Sequence, residues 1–177
     1  DIFRRRASEF LRDYFPDVPT HRIRHLMNCD LVVFNPEVLL LKAGDAVDAV
    51  YLILSGTVEM LGTAARGGSQ LSAGSLIGES PALMELGSEF TYRAVGFVRA
   101  LKVPVDIYRD FVTRSTLYRR IVQGNERREA LRRSTLFSEG VSDVTLNRLV
   151  AKARRAGYAK GRSLAPPVNK VVVIQSG

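Results

Sequence analysis

Few residues of this 177-residue chain are of the types that carry out catalysis or bind a metal ion. The two histidines, His21 and His25, are four residues apart and share one face if they lie on a helix, but only Asn28 or Asp30 stands nearby as a further ligand. We therefore interpret them as surface or capping residues and not as a metal site. Cys29 is the single cysteine, so no disulfide and no cysteine-based zinc cluster can form within the chain, and a buried apolar role is expected for it.

Motifs that identify the common enzyme classes do not occur in the sequence. It has no Gly-x-Ser-x-Gly nucleophile turn, no P-loop, no pair of carboxylates at the spacing of a general acid and base, and no metal-ligand cluster. We therefore expect a protein that is not an enzyme in this part of its chain.

Composition is that of a globular protein, with 46% hydrophobic and 25% charged residues. Apolar runs such as 30–34 and 50–54 are about five residues long, whereas a membrane span needs roughly 20, so no membrane span is expected. With no signal peptide, the cytoplasm is the expected compartment. Because the sequence starts at Asp1 and stops at Gly177 directly after an apolar run, we expect it to be a fragment of a longer protein.

Positive charge is concentrated in the second half of the chain. Residues 1–108 hold 11 Lys/Arg against 13 Asp/Glu, whereas residues 109–162 hold 14 against 5. A basic helical surface of this kind can meet nucleic acid, an anionic membrane or an acidic partner domain, but its plainest interpretation is a solvated helix face, which we favour.

Hydrophobic periodicity predicts an α+β, mainly β, fold: an antiparallel β-roll or jelly roll with flanking helices. Helical spacing occurs over 5–14, in a second helix from Thr20, over 106–114 and over about 115–133, and one or two helical turns are predicted over 80–86. The predicted strands are 31–34, 38–42, 50–54, 57–61, 69–71, 90–95 and 97–103.

The tail of the chain repeats the pattern of its beginning. Both 15–56 and 137–177 show a helix, an aromatic residue that opens a strand, and an aliphatic run ending in Ser-Gly, and Lys160–Leu164 is predicted as the first hairpin of the second unit. We therefore predict one domain over 1–133 and a partial second copy of it over 134–177.

This arrangement resembles the cyclic-nucleotide-binding domain superfamily, which includes catabolite-activator regulators, the regulatory subunits of cyclic-AMP-dependent kinase and the cytoplasmic domains of gated channels. The resemblance rests on Tyr-Leu-Ile-Leu-Ser-Gly-Thr-Val-Glu at 51–59, Gly-Ser-Leu-Ile-Gly-Glu at 74–79 and Phe-Thr-Tyr-Arg-Ala at 90–94. It covers residues 5–133 once and 134–177 in part, and it implies a regulatory jelly roll arranged as a tandem repeat.

The resemblance implies that the segment from Gly78 to Ala94 is a phosphate-binding cassette. In the family, the short helix points backbone N–H groups at the cyclic phosphate, the Glu accepts from the ribose 2′-hydroxyl and an Arg pairs with the phosphate. Pro81 suits the first turn of that helix because it gives up no needed donor. The candidate ligand-binding residues are Ile77, Gly78, Glu79, Ser80, Ala82, Ser88, Glu89 and Thr91.

One departure from the family pattern affects the predicted function. When residues 78–94 are compared with the family's cassette without gaps, the position of the phosphate-binding Arg falls on Ser88, and Glu89 follows it. A serine offers one neutral hydrogen bond in place of a charged two-pronged fork, and the neighbouring carboxylate repels a phosphate. We therefore expect impaired cyclic-nucleotide binding and no resident cofactor, with cAMP or cGMP the ligands to test. Without an Arg partner, the negative charge of Glu79 could serve only to complement the positive N-terminal end of the short helix.

These observations predict a non-enzymatic regulatory and signal-transduction module. Its expected partner is a neighbouring domain of the same chain, or a second copy in a homodimer, contacted through the helices at 105–133. Two alternatives remain open: a cAMP or cGMP sensor with a non-standard cassette, and a DNA-binding regulator of the catabolite-activator type. For the latter, Gly140–Val150 and the basic residues after it have the look of a recognition helix, although 131–139 is short for the helix that must precede one.

Overall fold

The computed structural model describes residues 1–62, 69–134, 136–137, 140–154, 156–157 and 159–163. These residues form eight strands and six helices. The strands are β1 (Asp30–Phe34), β2 (Leu39–Leu41), β3 (Ala49–Ser55), β4 (Val58–Leu61), β5 (Ser69–Leu71), β6 (Leu76–Ile77), β7 (Thr91–Ala94) and β8 (Val98–Pro104). The helices are α1 (Ile2–Tyr14), α2 (Thr20–Met27), α3 (Glu79–Met84), α4 (Val105–Arg114), α5 (Tyr118–Arg133) and α6 (Asp143–Lys152).

Two four-stranded antiparallel sheets make up the β-roll. Their strand orders are β1-β8-β3-β6 and β2-β7-β4-β5. Strand β3 is central to the first sheet, and its residues 49–54 are all buried, which explains why they read as one continuous apolar run. The predicted α+β, mainly β, roll is confirmed. The two-residue strand β6 escaped the sequence analysis because it is too short to show a period.

Helices α1, α2 and α4 pack on one another beside the first sheet. The rings of Phe15, just after α1, and Phe111 of α4 meet edge to face with their centroids 5.2 Å apart. Helix α1 begins at Ile2, earlier than the predicted residue 5, because the Asp1 carboxylate accepts from the N–H of Phe3 at 2.9 Å and caps the helix. Helix α5 begins at Tyr118 and not near 115, after a left-handed residue at Thr116 with φ 53°.

The predicted second copy is described only at its beginning. Helix α6 lies where that copy requires a helix, and it packs on α1 and α5. Residues 159–163 contain a turn in which the Arg162 N–H donates to the Ala159 carbonyl at 3.2 Å. The strand runs predicted beyond 163 lie outside the described residues, so the tandem repeat stays a prediction. In the ranges that the structure covers, no helix combines the length and apolarity required to span a bilayer.

Glycine is required where β3 turns into β4. Gly56 has φ +92°, and a Cβ there would lie 2.4 Å from the carbonyl oxygen of Phe97. Gly44 has a similar φ of +86°, but a Cβ there meets no atom within 4 Å. A side chain at either position would therefore strain the backbone, but only at Gly56 would it also clash with neighbouring atoms.

We expect Gly44→Ala to lower the free energy of unfolding by about 1–2 kcal/mol, the cost of a left-handed conformation. Gly56→Ala should lower it by a further ~1–3 kcal/mol, because the backbone at Phe97 has to move. Urea denaturation of both variants measures the difference. Equal losses for the two variants would contradict the close approach of Gly56 to β8.

Candidate functional site

The chain turns sharply into α3 at the position of the predicted cassette. Gly78 has φ +86°, and a Cβ there would lie 3.0 Å from Leu41 Cδ1 and 3.3 Å from the Ala49 carbonyl oxygen. Ile77, one residue earlier, is buried and paired with Tyr51 of β3. Glu79 begins α3 and is only 5% exposed.

The buried Glu79 carboxylate accepts hydrogen bonds from three side chains of this protein. The Tyr14 hydroxyl at the end of α1 donates to Oε2 at 2.5 Å, and the Tyr108 hydroxyl of α4 donates to Oε1. The amide of Asn125 on α5 donates to Oε2 at 3.4 Å. Both carboxylate oxygens are thus engaged by donors from three different helices, as a buried charge requires.

A guanidinium from α5 lies beside this cluster. Arg128 donates through Nη1 to the Tyr14 hydroxyl at 3.2 Å and to Asn125 Oδ1 at 2.6 Å, and through Nε to Asn147 Oδ1 at 2.8 Å. It also lies over the Tyr14 ring, 4.5 Å from its centroid. Its charge therefore stabilises the Glu79 cluster from within the chain.

The surroundings of Tyr14 and Tyr108 keep both phenols protonated. Burial raises the pKa of each hydroxyl well above its usual value near 10, and the nearby Glu79 carboxylate raises it further, while Arg128 acts in the opposite direction. Both tyrosines therefore act as donors to Glu79 over the whole neutral range.

The other candidate residues are not among the hydrogen-bond partners of Glu79 in the described structure. Ser80 and Glu89 are exposed, whereas Ala82 is fully buried in α3. Ser88 is buried, and its hydroxyl donates to the Phe90 carbonyl at 2.6 Å.

The remaining candidate, Thr91, is also engaged within the protein. Its hydroxyl oxygen accepts from the Ala43 N–H at 3.0 Å. The hydroxyls of Ser88 and Thr91 thus both bond to backbone groups.

Two arginines near the cassette are paired elsewhere. Arg93 of β7 forms ion pairs with Glu59 at 2.6 Å and Glu37 at 3.1 Å. Arg109 of α4 donates to the Ala82 carbonyl at 2.6 Å and pairs with Glu85 at 3.5 Å. Across the described ranges, no guanidinium is hydrogen-bonded to Ser88.

A second polar cluster holds the turn that precedes the cassette. The Asp143 carboxylate at the start of α6 accepts from the Ser72 N–H at 2.7 Å and from the Ser75 hydroxyl at 2.6 Å. Arg132 of α5 donates to its other oxygen at 2.5 Å, and Asn147 donates to the Gly74 carbonyl at 2.8 Å. Helices α5 and α6 therefore hold both ends of the segment 72–79.

Sequence reasoning did not identify the groups that contact Glu79. Tyr14, Tyr108 and Asn125 lie on three separate helices with no shared motif, and Arg128 is one of many arginines on α5. The only usable signal is that a buried carboxylate must have donors, which does not say where along the chain they are.

Removing one donor tests the Glu79 cluster. Tyr108→Phe should lower the free energy of unfolding at pH 7 by about 1–3 kcal/mol, because a buried carboxylate oxygen loses its partner. Tyr118→Phe, on the exposed face of α5, is the matched control and should change it by no more than ~0.5 kcal/mol. Equal effects of the two variants would show that the bond to Glu79 contributes nothing.

Alkaline pH tests the protonation of Tyr108. A tyrosine whose pKa is higher in the folded than in the unfolded chain adds stability that is fully present below the unfolded pKa near 10. This added stability is lost as the pH rises from about 10 toward the folded pKa. The stability advantage of the native chain over Tyr108→Phe should therefore be constant up to pH ~10 and then fall by about 1.4 kcal/mol per pH unit. Urea titrations of both proteins between pH 8 and ~11.5 measure it, and an advantage that stays constant throughout would contradict the raised pKa.

Two solved structures that are similar to this fold are regulatory parts of protein kinase A. A regulatory subunit of a cAMP-independent protein kinase A from Trypanosoma cruzi, bound to guanosine, is 15% identical with a TM-score of 0.63, over 85% of this chain and 53% of that one. The regulatory domain of Toxoplasma gondii protein kinase A with cAMP is 13% identical with a TM-score of 0.57, over 67% of this chain and 49% of that one. The chain thus spans about half the length of these two structures.

A third similar structure is matched over almost its whole length. A cyclic-nucleotide-binding-like protein from Brucella abortus is 18% identical with a TM-score of 0.51, over 60% of this chain and 97% of that one. No curated protein is significantly similar to the chain in sequence. Residues 31–115 match the family described as "Cyclic nucleotide-binding domain". The β-roll and the helix after it therefore match the cyclic nucleotide-binding domain family over residues 31–115, and the solved structures share its fold.

Proposed function

We propose that this chain is a non-enzymatic regulatory module whose cassette does not take up a cyclic nucleotide. The observation that carries the proposal is the engagement of both Glu79 oxygens by Tyr14, Tyr108 and Asn125. The resemblance assigns this carboxylate to a ribose hydroxyl, and here the protein itself supplies the donors.

The first supporting argument concerns the ribose. A ribose hydroxyl that takes the place of a tyrosine hydroxyl as donor to Glu79 leaves that tyrosine buried without a partner. A hydrogen bond to a charged group contributes about 1.5–3 kcal/mol. Losing one such bond therefore weakens ribose binding by roughly 10- to 150-fold.

The second supporting argument concerns the phosphate. Ser88 is buried and its proton is already donated to the Phe90 carbonyl, so it offers a phosphate no free donor. The guanidiniums of Arg109 on α4 and Arg93 on β7 are paired with carboxylates. A cyclic phosphate would thus enter a cassette without the cation that usually balances its charge.

An uncharged nucleoside is the second candidate ligand. The guanosine-bound structure from Trypanosoma cruzi is described as a cAMP-independent regulatory subunit, and the neutral Ser88 likewise favours a ligand without a phosphate. The occupied Glu79 opposes a nucleoside as much as a nucleotide, because both present the same ribose. We therefore rank this candidate below an unliganded cassette.

Helices α4, α5 and α6 are the proposed route to a partner. They carry the side chains that contact Glu79 and the 72–75 turn, so a partner that displaces them also changes the cassette. Two of the similar structures are a regulatory domain and a regulatory subunit of protein kinase A, which favours a neighbouring domain of the same protein as partner, in line with a first domain over 1–133 and a second from 134. DNA recognition by α6 is disfavoured, because Asp143, Leu146, Asn147 and Val150 are buried.

Calorimetric titration with cAMP, cGMP and guanosine tests the proposal. The native chain should bind each with a Kd weaker than about 1 mM. Ser88→Arg combined with Glu89→Ala should give measurable cAMP binding, because it restores a cation beside the phosphate and removes a repelling charge. Adding Tyr108→Phe should tighten that binding at least tenfold by freeing Glu79 Oε1.

Ser80→Arg is the matched control for this series. It adds the same charge within the cassette at an exposed position, and it should not produce cAMP binding. Micromolar binding of cAMP or cGMP by the native chain would overturn the proposal, and selective micromolar binding of guanosine would establish the second candidate instead.

A further inference from the structure

A cavity of about 240 Å³ lies between the end of α1, helix α5 and helix α6. Phe15, Leu117 and Val150 form apolar parts of its wall, and Arg127 and Arg128 form basic parts. None of the cassette candidates lines it. Its volume is just below the roughly 300–1,000 Å³ of pockets that enclose drug-sized ligands, so it suits a smaller molecule.

The basic groups of the cavity differ in how their charge is balanced. Arg128 is part of the Glu79 cluster, and Arg120 at the exposed rim pairs with Asp17 at 2.8 Å. Arg127 is half-buried and, among the residues that the structure describes, has neither a hydrogen bond nor an ion pair. A half-buried guanidinium in a cavity is a site for a charge-assisted bond to an anion.

The cavity owes part of its space to a glycine in the middle of α5. Glycine is among the least favourable residues in a helix interior. A Cβ on Gly124 would contact only Val150 Cγ1, at 4.0 Å, and the residue itself lines the cavity. The missing side chain therefore leaves room that a larger residue would fill, without any backbone conformation that requires glycine.

We propose that this cavity binds a small organic anion, a carboxylate or phosphate group on a compact apolar body, with Arg127 as the partner of the charge. The apolar body lies against Phe15, Leu117 and Val150, and the charged group meets the guanidinium. Because the cavity wall is shared by α1, α5 and α6, the bound anion favours the packed arrangement of these helices by mass action. The cavity shares Tyr14, Asn125 and Arg128 with the Glu79 cluster, and it adds a ligand that the proposed function does not include.

Calorimetric titration of the full chain with benzoate, phenyl phosphate and benzamide tests the site. Benzoate and phenyl phosphate carry the two candidate anionic groups on one apolar ring, and benzamide is a neutral analogue of benzoate. We expect at least one of the two anions to bind and benzamide to bind at least tenfold more weakly. The anion with the lower Kd identifies the preferred charged group.

Two arginine variants locate the binding. Arg127→Gln should weaken anion binding at least tenfold, whereas Arg119→Gln, an exposed position on α5 that does not line the cavity, should change it by less than twofold. Gly124→Leu should abolish anion binding and raise the melting temperature, because it fills the cavity and improves the helix. No anion binding by the native chain, equal binding of benzamide, or anion binding unchanged by Arg127→Gln would overturn the proposal.

The two sites are measured separately. Anion binding is measured on the native cassette and cAMP binding on the Ser88→Arg, Glu89→Ala variant, although the cavity shares Tyr14, Asn125 and Arg128 with the Glu79 cluster. Failure of the anion site therefore leaves the proposed function standing, and a cassette that binds cAMP leaves the anion site standing.

Discussion

The arrangement of the helices around the β-roll depends on one buried carboxylate. Glu79 is placed in the interior by the left-handed turn at Gly78, and a carboxylate in that position is tolerated only if its oxygens are fully hydrogen-bonded. Its donors come from α1, α4 and α5, so these three helices must keep their places for the charge to stay satisfied. Because an unsatisfied buried charge is costly, the hydrogen bonds to Glu79 help to hold α1, α4 and α5 in place. The apolar contacts of these three helices differ widely in extent.

That dependence is strongest for α5. Ile121 is its one buried residue among those described, so apolar packing contributes little to its position. Asn125 and Arg132 donate to the carboxylates of Glu79 and Asp143 instead, and Arg128 donates to the Tyr14 hydroxyl and the Asn147 amide oxygen. A helix held mainly by hydrogen bonds and charge can be moved by a partner that offers equivalent groups, more easily than one held by a large apolar face.

Much of the fold could be predicted from the sequence, because alternating and continuous apolar runs report burial directly. Seven of the eight strands and the position of α3 follow from that pattern, and the motif at 74–79 predicted a cassette that begins at Gly78. The hydrogen bonds of Glu79 could not be predicted, since its partners are 65, 29 and 46 residues away and are fixed only by tertiary packing. The expectation that Ser88 stands in place of a cation comes from counting along the sequence, and it stays a prediction.

The hydrogen bonds between α6 and the 72–75 turn couple the movement of the helix to that of the turn. Asp143 and Asn147 are one helical turn apart, and they hold Ser72, Ser75 and the Gly74 carbonyl through a single rigid element. A displacement of α6 as a rigid body would therefore disturb these contacts together, and the segment that leads into Gly78 would lose its support from α6.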